Sequence, residues 1–109
     1  LSLPTRRAIE YMHKSYKQNI TLTSIAKHLG LNKCYFCNIF KKETNMTFSQ
    51  FLNNLRIEKS KVLLKNTELS LLDIAVEVGF NNQSYFTMAF KKLNDDKTPL
   101  EYRRNLYLT

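Results

Sequence analysis

The chain has 109 residues, enough for one ordinary domain or two small lobes, and 43% of them are hydrophobic and 24% charged, as in folded globular proteins. Only two glycines and two prolines occur, which argues against barrels and sandwiches rich in tight turns and favours helices joined by short turns. Seventeen Lys and Arg against nine Asp and Glu give a formal charge of +8. This charge favours nucleic acid, an anionic membrane surface or an acidic protein as the partner.

The beginning of the chain predicts a helix, because Ile9, Met12 and Tyr16 follow helical spacing. The start "LSLPTRR" has no signal-peptide core, and no apolar run approaches the ~18 residues of a membrane span. Two cysteines in a chain without an export signal suggest a reducing compartment. We therefore expect a cytoplasmic protein without a membrane segment. Since the first residue is Leu1 rather than Met, we expect a piece of a longer protein.

Two segments of the chain recur about fifty residues further on. "TLTSIAKHLGL" (21–31) returns as "SLLDIAVEVGF" (70–80) at an offset of 49 residues. "YFCNIFKK" (35–42) returns as "YFTMAFKK" (85–92) at an offset of 50. We interpret the chain as two copies of one unit with small length changes in the turns.

The first helix of each unit follows the i, i+3, i+4, i+7 rule, and a glycine, Gly30 or Gly79, follows it where a left-handed residue commonly ends a helix. Thr21 and Ser70 stand at the N-cap position, and Asp73 suggests a capping box with Ser70. Helix, glycine turn and second helix together predict a helix-turn-helix. The apolar positions are Leu22, Ile25, Ala26 and Leu29 in the first copy and Leu71, Ile74, Ala75 and Val78 in the second.

The second helix of each unit combines an apolar face with a polar face that carries no acidic residue, and Asn32 or Asn82 can cap it. The apolar face comprises Phe36, Ile39 and Phe40, or Phe86, Ala89, Phe90 and Leu93. A recognition helix in a major groove needs such a pattern, with short side chains that reach base edges. One such helix alone would suggest an ordinary surface helix, but two matched copies favour DNA reading. The candidate base-reading residues are Lys33, Cys34, Cys37, Asn38, Gln83, Ser84, Thr87 and Met88.

The segment between the units predicts a helix over 47–66, because its apolar residues have roughly helical spacing and no glycine or proline interrupts it. These apolar residues are Phe48, Phe51, Leu52, Leu55, Val62 and Leu63. About 18 helical residues would measure ~27 Å, close to the ~34 Å between successive major grooves. At the end of the chain, Pro99 predicts the start of a last helix. We expect Tyr102 and Leu106 to lie on the inward face of this helix. We therefore expect an all-α fold of about seven helices, with a first helix-turn-helix lobe at 5–46, a linker helix at 47–66 and a second lobe at 67–109.

The sequence "DIAVEVGFNNQSYFTMAFKK", followed by "TPLEYRR", resembles the signature of the AraC/XylS family of bacterial transcription regulators. The resemblance extends over about residues 9 to 104. It implies two helix-turn-helix lobes whose recognition helices enter adjacent major grooves of promoter DNA. It also implies contact with RNA polymerase and a separate sensing or dimerising domain absent from this chain, which alone would be a monomer.

The sequence departs from the family pattern at three places. Asn38 and Met88 stand where members often carry Arg, which favours an A·T-rich site over guanine. Asn45 stands where glycine is usual, a tolerable exchange because Asn visits the left-handed region. The usual glycine after Phe90 is absent and "LNDDKTP" is one residue longer than the pattern, so we expect an altered loop there.

Several cationic residues are candidate phosphate contacts, namely Lys41, Lys42, Lys91, Lys92 and Arg103. Arg103 could instead pair with a carboxylate within its lobe. Cys34 and Cys37 form a CxxC, but zinc needs four ligands and the two histidines lack finger-like spacing, so we expect no metal and no cofactor. A thiol switch on the DNA-facing side is a second interpretation of this pair, after small side chains near the groove.

Two other functional classes were weighed. A basic helical module that contacts RNA polymerase or an acidic protein would also explain the charge, although it would not require matched polar faces in both copies. An enzyme is not expected, because no nucleophile triad, carboxylate pair or glycine-rich phosphate loop is present.

Overall fold

The computed structural model describes residues 1–107, so the last two residues of the expected second lobe, 108 and 109, lie outside the described part. Within residues 1–107 there are seven α-helices and no strand, which confirms the predicted all-α class. The helices are α1 (Leu3–Ser15), α2 (Leu22–Leu29), α3 (Lys33–Thr44), α4 (Phe48–Asn66), α5 (Leu71–Glu77), α6 (Gln83–Leu93) and α7 (Pro99–Leu106).

Side-chain caps fix where most of these helices begin. Three helices begin with a capping box. In it, the side chain of the N-cap residue accepts a hydrogen bond from the backbone N–H of the third helical residue, whose side chain in turn accepts from the backbone N–H of the N-cap residue. The pairs are Thr21 with Ser24, Thr47 with Gln50 and Thr98 with Glu101. Ser70 accepts from the N–H of Asp73 at 3.0 Å, which is one half of the capping box that the sequence suggests. Pro99 occupies the first helical position of α7, as expected.

The chain divides into two compact units, and the boundary lies inside α4, between Leu52 and Asn53. The residues expected to form a separate linker, 47–66, are therefore shared between the two units.

The first unit, Leu1–Leu52, is built around the aromatic face of α3. Phe36 and Phe40 are fully buried, with ring centroids 5.5 Å apart, and Phe36 also packs edge-on against Phe48 of α4 at 6.4 Å. Helix α1 buries Thr5, Ala8 and Met12. The helix expected near the start of the chain is present, and of the three residues that indicate it Met12 is buried and Ile9 and Tyr16 are half-buried.

A carboxylate links the two ends of this first unit. Glu43, near the end of α3, accepts hydrogen bonds from the Ser2 N–H at 3.0 Å, the Ser2 hydroxyl at 2.7 Å and the Thr5 hydroxyl. These hydrogen bonds lower the pKa of Glu43 to about 2, because they stabilise the ionised carboxylate. The hydroxyl of Thr5 contributes most, followed by the hydroxyl of Ser2. The start of α1 is therefore fixed to the last turn of α3.

The second unit, which begins at Asn53, has a corresponding core around α6. Phe86 and Phe90 are fully buried, and Phe90 packs edge-on against Tyr102 of α7 at 5.5 Å. The guanidinium of Arg56 lies 5.8 Å from the ring centre of Phe80, and burial lowers the pKa of Arg56. Leu106 is half-buried, as is Tyr102, consistent with the inward face expected for α7.

Two apolar residues that follow the predicted helical spacing are nevertheless exposed. Val62 is 54% exposed and Leu93 is 43% exposed. In α4 the buried positions after residue 55 are Arg56, Ile57, Ser60 and Leu64, and Val62, two residues from both Ser60 and Leu64, lies on the opposite side of the helix. Leu93 is the last residue of α6, where the helix ends and the chain turns away.

Candidate nucleic-acid interface

Helix α3 is fixed at both ends and along one side, which leaves its polar side free. The side chain of Asn32 accepts hydrogen bonds from the N–H groups of Cys34 (2.8 Å) and Tyr35 (3.2 Å), as predicted for an N-cap. Asn45 ends the helix in the left-handed conformation at φ 61°, also as predicted. With the phenylalanines buried behind, the side chains on the opposite face are Lys33, Cys34, Asn38, Lys41 and Lys42, all exposed, and Cys37, half-buried.

Helix α6 repeats this arrangement in the second unit. Asn82 accepts from the N–H of Tyr85 at 2.7 Å, and the hydroxyl of Tyr85 in turn accepts from the Asn53 amide at 3.1 Å. Met88, on the outer face, is 64% exposed and is therefore accessible to a partner. One shallow depression brings together Gln83, Ser84, Thr87, Met88, Lys91, Lys92 and Asp96. The four base-reading candidates of this copy therefore share one surface with two lysines.

The turn between the two helices of each unit has the same hydrogen bond in both copies. The N–H of Leu31 donates to Ala26 at 2.9 Å, and the N–H of Phe80 donates to Ala75 at 2.9 Å. The intervening glycines have φ of 69° at Gly30 and 103° at Gly79. At Gly30 a Cβ would meet nothing within 4 Å, so glycine is required there by its backbone conformation and not by lack of space. The repeat seen in the sequence is a repeat of this turn.

The lysines at the basic ends of the two helices have different neighbours. Lys41 donates to the carbonyl of Asn45 at 3.4 Å, whereas Lys91 lies 3.8 Å from the carboxylate of Asp96. Lys33, at the other end of α3, reaches the hydroxyl of Thr23 at 3.5 Å. Each polar face therefore ends in cationic groups, and that of α6 has the carboxylate of Asp96 beside Lys91.

Comparison with known proteins places this geometry in a family. A model of a helix-turn-helix domain family matches residues 25–105. The C-terminal domain of AraT, a response regulator from Geobacillus stearothermophilus, is 39% identical, with 96% of this chain and 87% of that chain covered and a TM-score of 0.92. The Msm operon regulatory protein of Streptococcus mutans is 33% identical over 95 residues, which are 87% of this chain and 34% of that protein.

The chain belongs to the AraC/XylS family. It spans about a third of the length of the first curated relatives it matches, including the Msm protein at 34%. The DNA-binding domain of AdpA, solved in complex with a target DNA, has a TM-score of 0.90 at 18% identity over 98% of this chain and 96% of that chain. At that identity the likeness concerns the fold.

One predicted phosphate contact in this AraC/XylS domain has another role. The guanidinium of Arg103 donates to the carbonyls of Leu64 (3.2 Å), Thr67 (3.2 Å) and Leu69 (2.7 Å). These carbonyls lie at and beyond the end of α4, where helical carbonyls lack partners within the helix. Arg103 therefore ties α7 to the end of α4, and its partners are carbonyls rather than the carboxylate considered as an alternative. We leave it out of the proposed phosphate contacts.

The cysteines and histidines form no recognisable metal site in the part of the chain that the structure describes. Cys34 and Cys37 are free thiols, one exposed and one half-buried, and no group of three or more His, Cys, Asp or Glu side chains among the described residues could hold an ion. The ring of His28 stacks on the ring of Tyr11, with centroids 4.1 Å apart, so packing explains the position of this histidine. Among residues 1–107, no helix is both long and apolar enough to cross a membrane.

Two residues of this region were missed in the sequence. Glu43 gives no local signal, because its partners Ser2 and Thr5 are about forty residues away in sequence. Asp96 could have been noticed, since an acidic pair directly after the basic end of α6 is unusual in a polar face that is otherwise free of acidic residues.

Proposed function

We propose that this domain reads double-stranded promoter DNA in a sequence-specific manner to regulate transcription, with α3 and α6 entering adjacent major grooves. The observation that carries the proposal is the matched construction of the two helices. In each, a pair of buried phenylalanines fixes one face, while the opposite face carries exposed polar side chains and ends in two lysines. An ordinary surface helix would not need the same construction twice.

The chemistry of the exposed side chains supports base reading in an A·T-rich site. Asn38 and Gln83 can each form two hydrogen bonds with adenine, and Met88 can pack against a thymine methyl group. Ser84, Thr87 and the cysteines are short enough to let the helix approach the base edges. Lys33 can donate to guanine or to a phosphate.

The lysines at the helix ends support backbone contacts. Lys41, Lys42, Lys91 and Lys92 lie in the last turns of α3 and α6, so they would flank a helix inserted in the groove. Such contacts position a protein on DNA and supply affinity that depends on salt but not on sequence.

A protein partner is also part of the proposal. On α5, Leu72 and Val76 are 50% and 57% exposed, and the exposed Asp73 and Glu77 adjoin them. Acidic groups are unsuited to a DNA phosphate, whereas an apolar patch with charges suits a protein surface. We infer that RNA polymerase is the partner, that the domain is a cytoplasmic monomer when isolated, and that it works attached to a sensing or dimerising domain without catalysing a reaction itself.

The proposal is tested by selecting duplexes from a random pool with the 109-residue chain and footprinting the enriched sequence. We expect an enriched A·T-rich motif and two protected segments about one helical turn, ~10–10.5 base pairs, apart. A single protected segment would refute the two-groove arrangement, and a pool that shows no enrichment would refute sequence reading.

A further inference from the structure

The acidic residue at the edge of the α6 surface faces one of its phosphate-binding candidates. The carboxylate of Asp96 lies 3.8 Å from the ammonium group of Lys91, and both line the depression that holds Gln83, Ser84, Thr87 and Met88. Asp96 is 90% exposed at its side chain and Lys91 is 41% exposed. A candidate phosphate contact therefore already has an anionic neighbour in the free protein.

Backbone hydrogen bonds in the turn after α6 hold the main chain of Asp96 close to Lys91. The N–H of Asp96 donates to the carbonyl of Lys91 itself at 2.9 Å, and the N–H of Lys97 donates to Asn94 at 3.0 Å. Asp95 and Asp96 both have positive φ, 51° and 65°, a conformation that glycine or asparagine adopts more easily. Aspartate, like asparagine, adopts this conformation more readily than most residues, so the turn accepts Asp96 but does not require its charge.

The first copy of the repeat provides an internal comparison. Lys41 is the counterpart of Lys91, and its ammonium group reaches the neutral carbonyl of Asn45 at 3.4 Å. Asn45 also has a positive φ, 61°, so a left-handed turn after the recognition helix does not require an acidic side chain. Within residues 1–107, the ion pair therefore has no counterpart at Lys41.

We propose that Asp96 occupies the place of a DNA phosphate beside Lys91 in the free protein and thereby weakens the binding of α6 to DNA of any sequence. This inference rests on the proposed DNA binding. When DNA binds, Lys91 must give up its contact with the Asp96 carboxylate in order to contact a phosphate. The loss of that contact offsets part of the attraction between Lys91 and the DNA. The second recognition helix would depend more on its base contacts, and the first would supply more of the affinity that does not depend on sequence.

The expected size of the effect follows from the exposure of the pair. Exposed ion pairs are worth little because water screens them, and their usual range corresponds to a change of up to about fivefold in an equilibrium constant. Asp96→Asn should therefore tighten binding to random duplex about two- to fivefold. Asparagine keeps the size of the side chain and tolerates the positive φ, so the turn should be retained.

The experiment compares the dissociation constants of the 109-residue chain and its variants for a random duplex by fluorescence anisotropy at low salt. Asp95→Asn is the matched control, because Asp95 is the neighbouring exposed residue with the same charge and a positive φ, and its carboxylate forms no ion pair with Lys91. Each change is repeated in a Lys91→Gln background, so that a double-mutant cycle isolates the coupling.

We expect Asp96→Asn to tighten binding more than Asp95→Asn does, and this excess to disappear when Lys91 is replaced by Gln. Equal effects of the two substitutions in both backgrounds would overturn the inference, because net charge alone would then explain them. Failure of the wild-type chain to bind any duplex would overturn the proposed function itself, and with it this inference.

Discussion

Replacing Asn38 with alanine separates base reading from folding. The Asn38 side chain is exposed on the outer face of α3 and has no hydrogen-bond partner in the part of the chain that the structure describes. Alanine also favours a helix more than asparagine does, by up to ~0.7 kcal/mol. The substitution should therefore leave the free energy of unfolding unchanged or slightly higher, and any loss of DNA binding must come from the lost contact.

The size of that loss follows from the chemistry of the amide. A bidentate contact between an asparagine and adenine discriminates against other bases by about 1–3 kcal/mol. Its loss in the variant should therefore raise the dissociation constant for the preferred site ~5- to ~150-fold. Discrimination at one base pair should disappear, while the dependence of affinity on salt stays the same. Lys41→Ala is the contrasting variant, since the loss of one phosphate contact should weaken all duplexes alike and reduce the salt slope by ~0.9.

The assay is a set of fluorescence anisotropy titrations with the preferred duplex and its single-base variants. The pattern over the variant duplexes, rather than the affinity for one of them, decides the matter. If Asn38→Ala and Lys41→Ala weaken every duplex by the same factor, the assignment of Asn38 to base reading is wrong.

Three further predictions concern stability. Gly30→Ala should lower the free energy of unfolding by about 1–2 kcal/mol in urea titrations, because φ is 69° there although a Cβ has room; an unchanged value would contradict this. The pKa of Glu43 is lowered to about 2 from 4.5, so its stabilisation is complete above pH 4.5 and is lost as the pH falls towards 2. Glu43→Gln should flatten that part of the curve of melting temperature against pH, and a curve with the wild-type slope would refute a stabilising role for the hydrogen bonds of Glu43 with Ser2 and Thr5. Arg103→Lys should destabilise the second unit by about 1–3 kcal/mol, because an ammonium group cannot reach three carbonyls as the guanidinium does; calorimetry that shows no change would exclude that role.

The sequence predicts those features of the fold that depend on local chemistry. Helix starts at Thr21, Asn32 and Asn82 could be foreseen because a capping side chain acts within three residues of itself. The positive φ of Gly30 and Gly79 follows from a similarly local rule. The repeat then adds the information that a single helix lacks, since two matched polar faces are more informative than one.

Features that depend on distant partners could not be predicted in this way. Glu43 meets Ser2 and Thr5 only after α1 and α3 have packed, and nothing near it in sequence indicates so. The charge of Arg103 suggests a phosphate contact, but its guanidinium donates hydrogen bonds to three carbonyls at and beyond the end of α4. Val62 follows helical spacing, yet α4 passes from one unit to the next and its inward face changes along its length.

Reading of duplex DNA by the two polar helix faces is tested most directly by a salt titration of the affinity for a selected A·T-rich duplex, with random duplex and RNA of matched sequence as competitors. We expect a steep loss of affinity with salt, together with a preference for the selected duplex that survives at every salt concentration. Equal binding to all three polyanions would contradict it, because the charge alone would then account for the binding and the helix faces would read nothing.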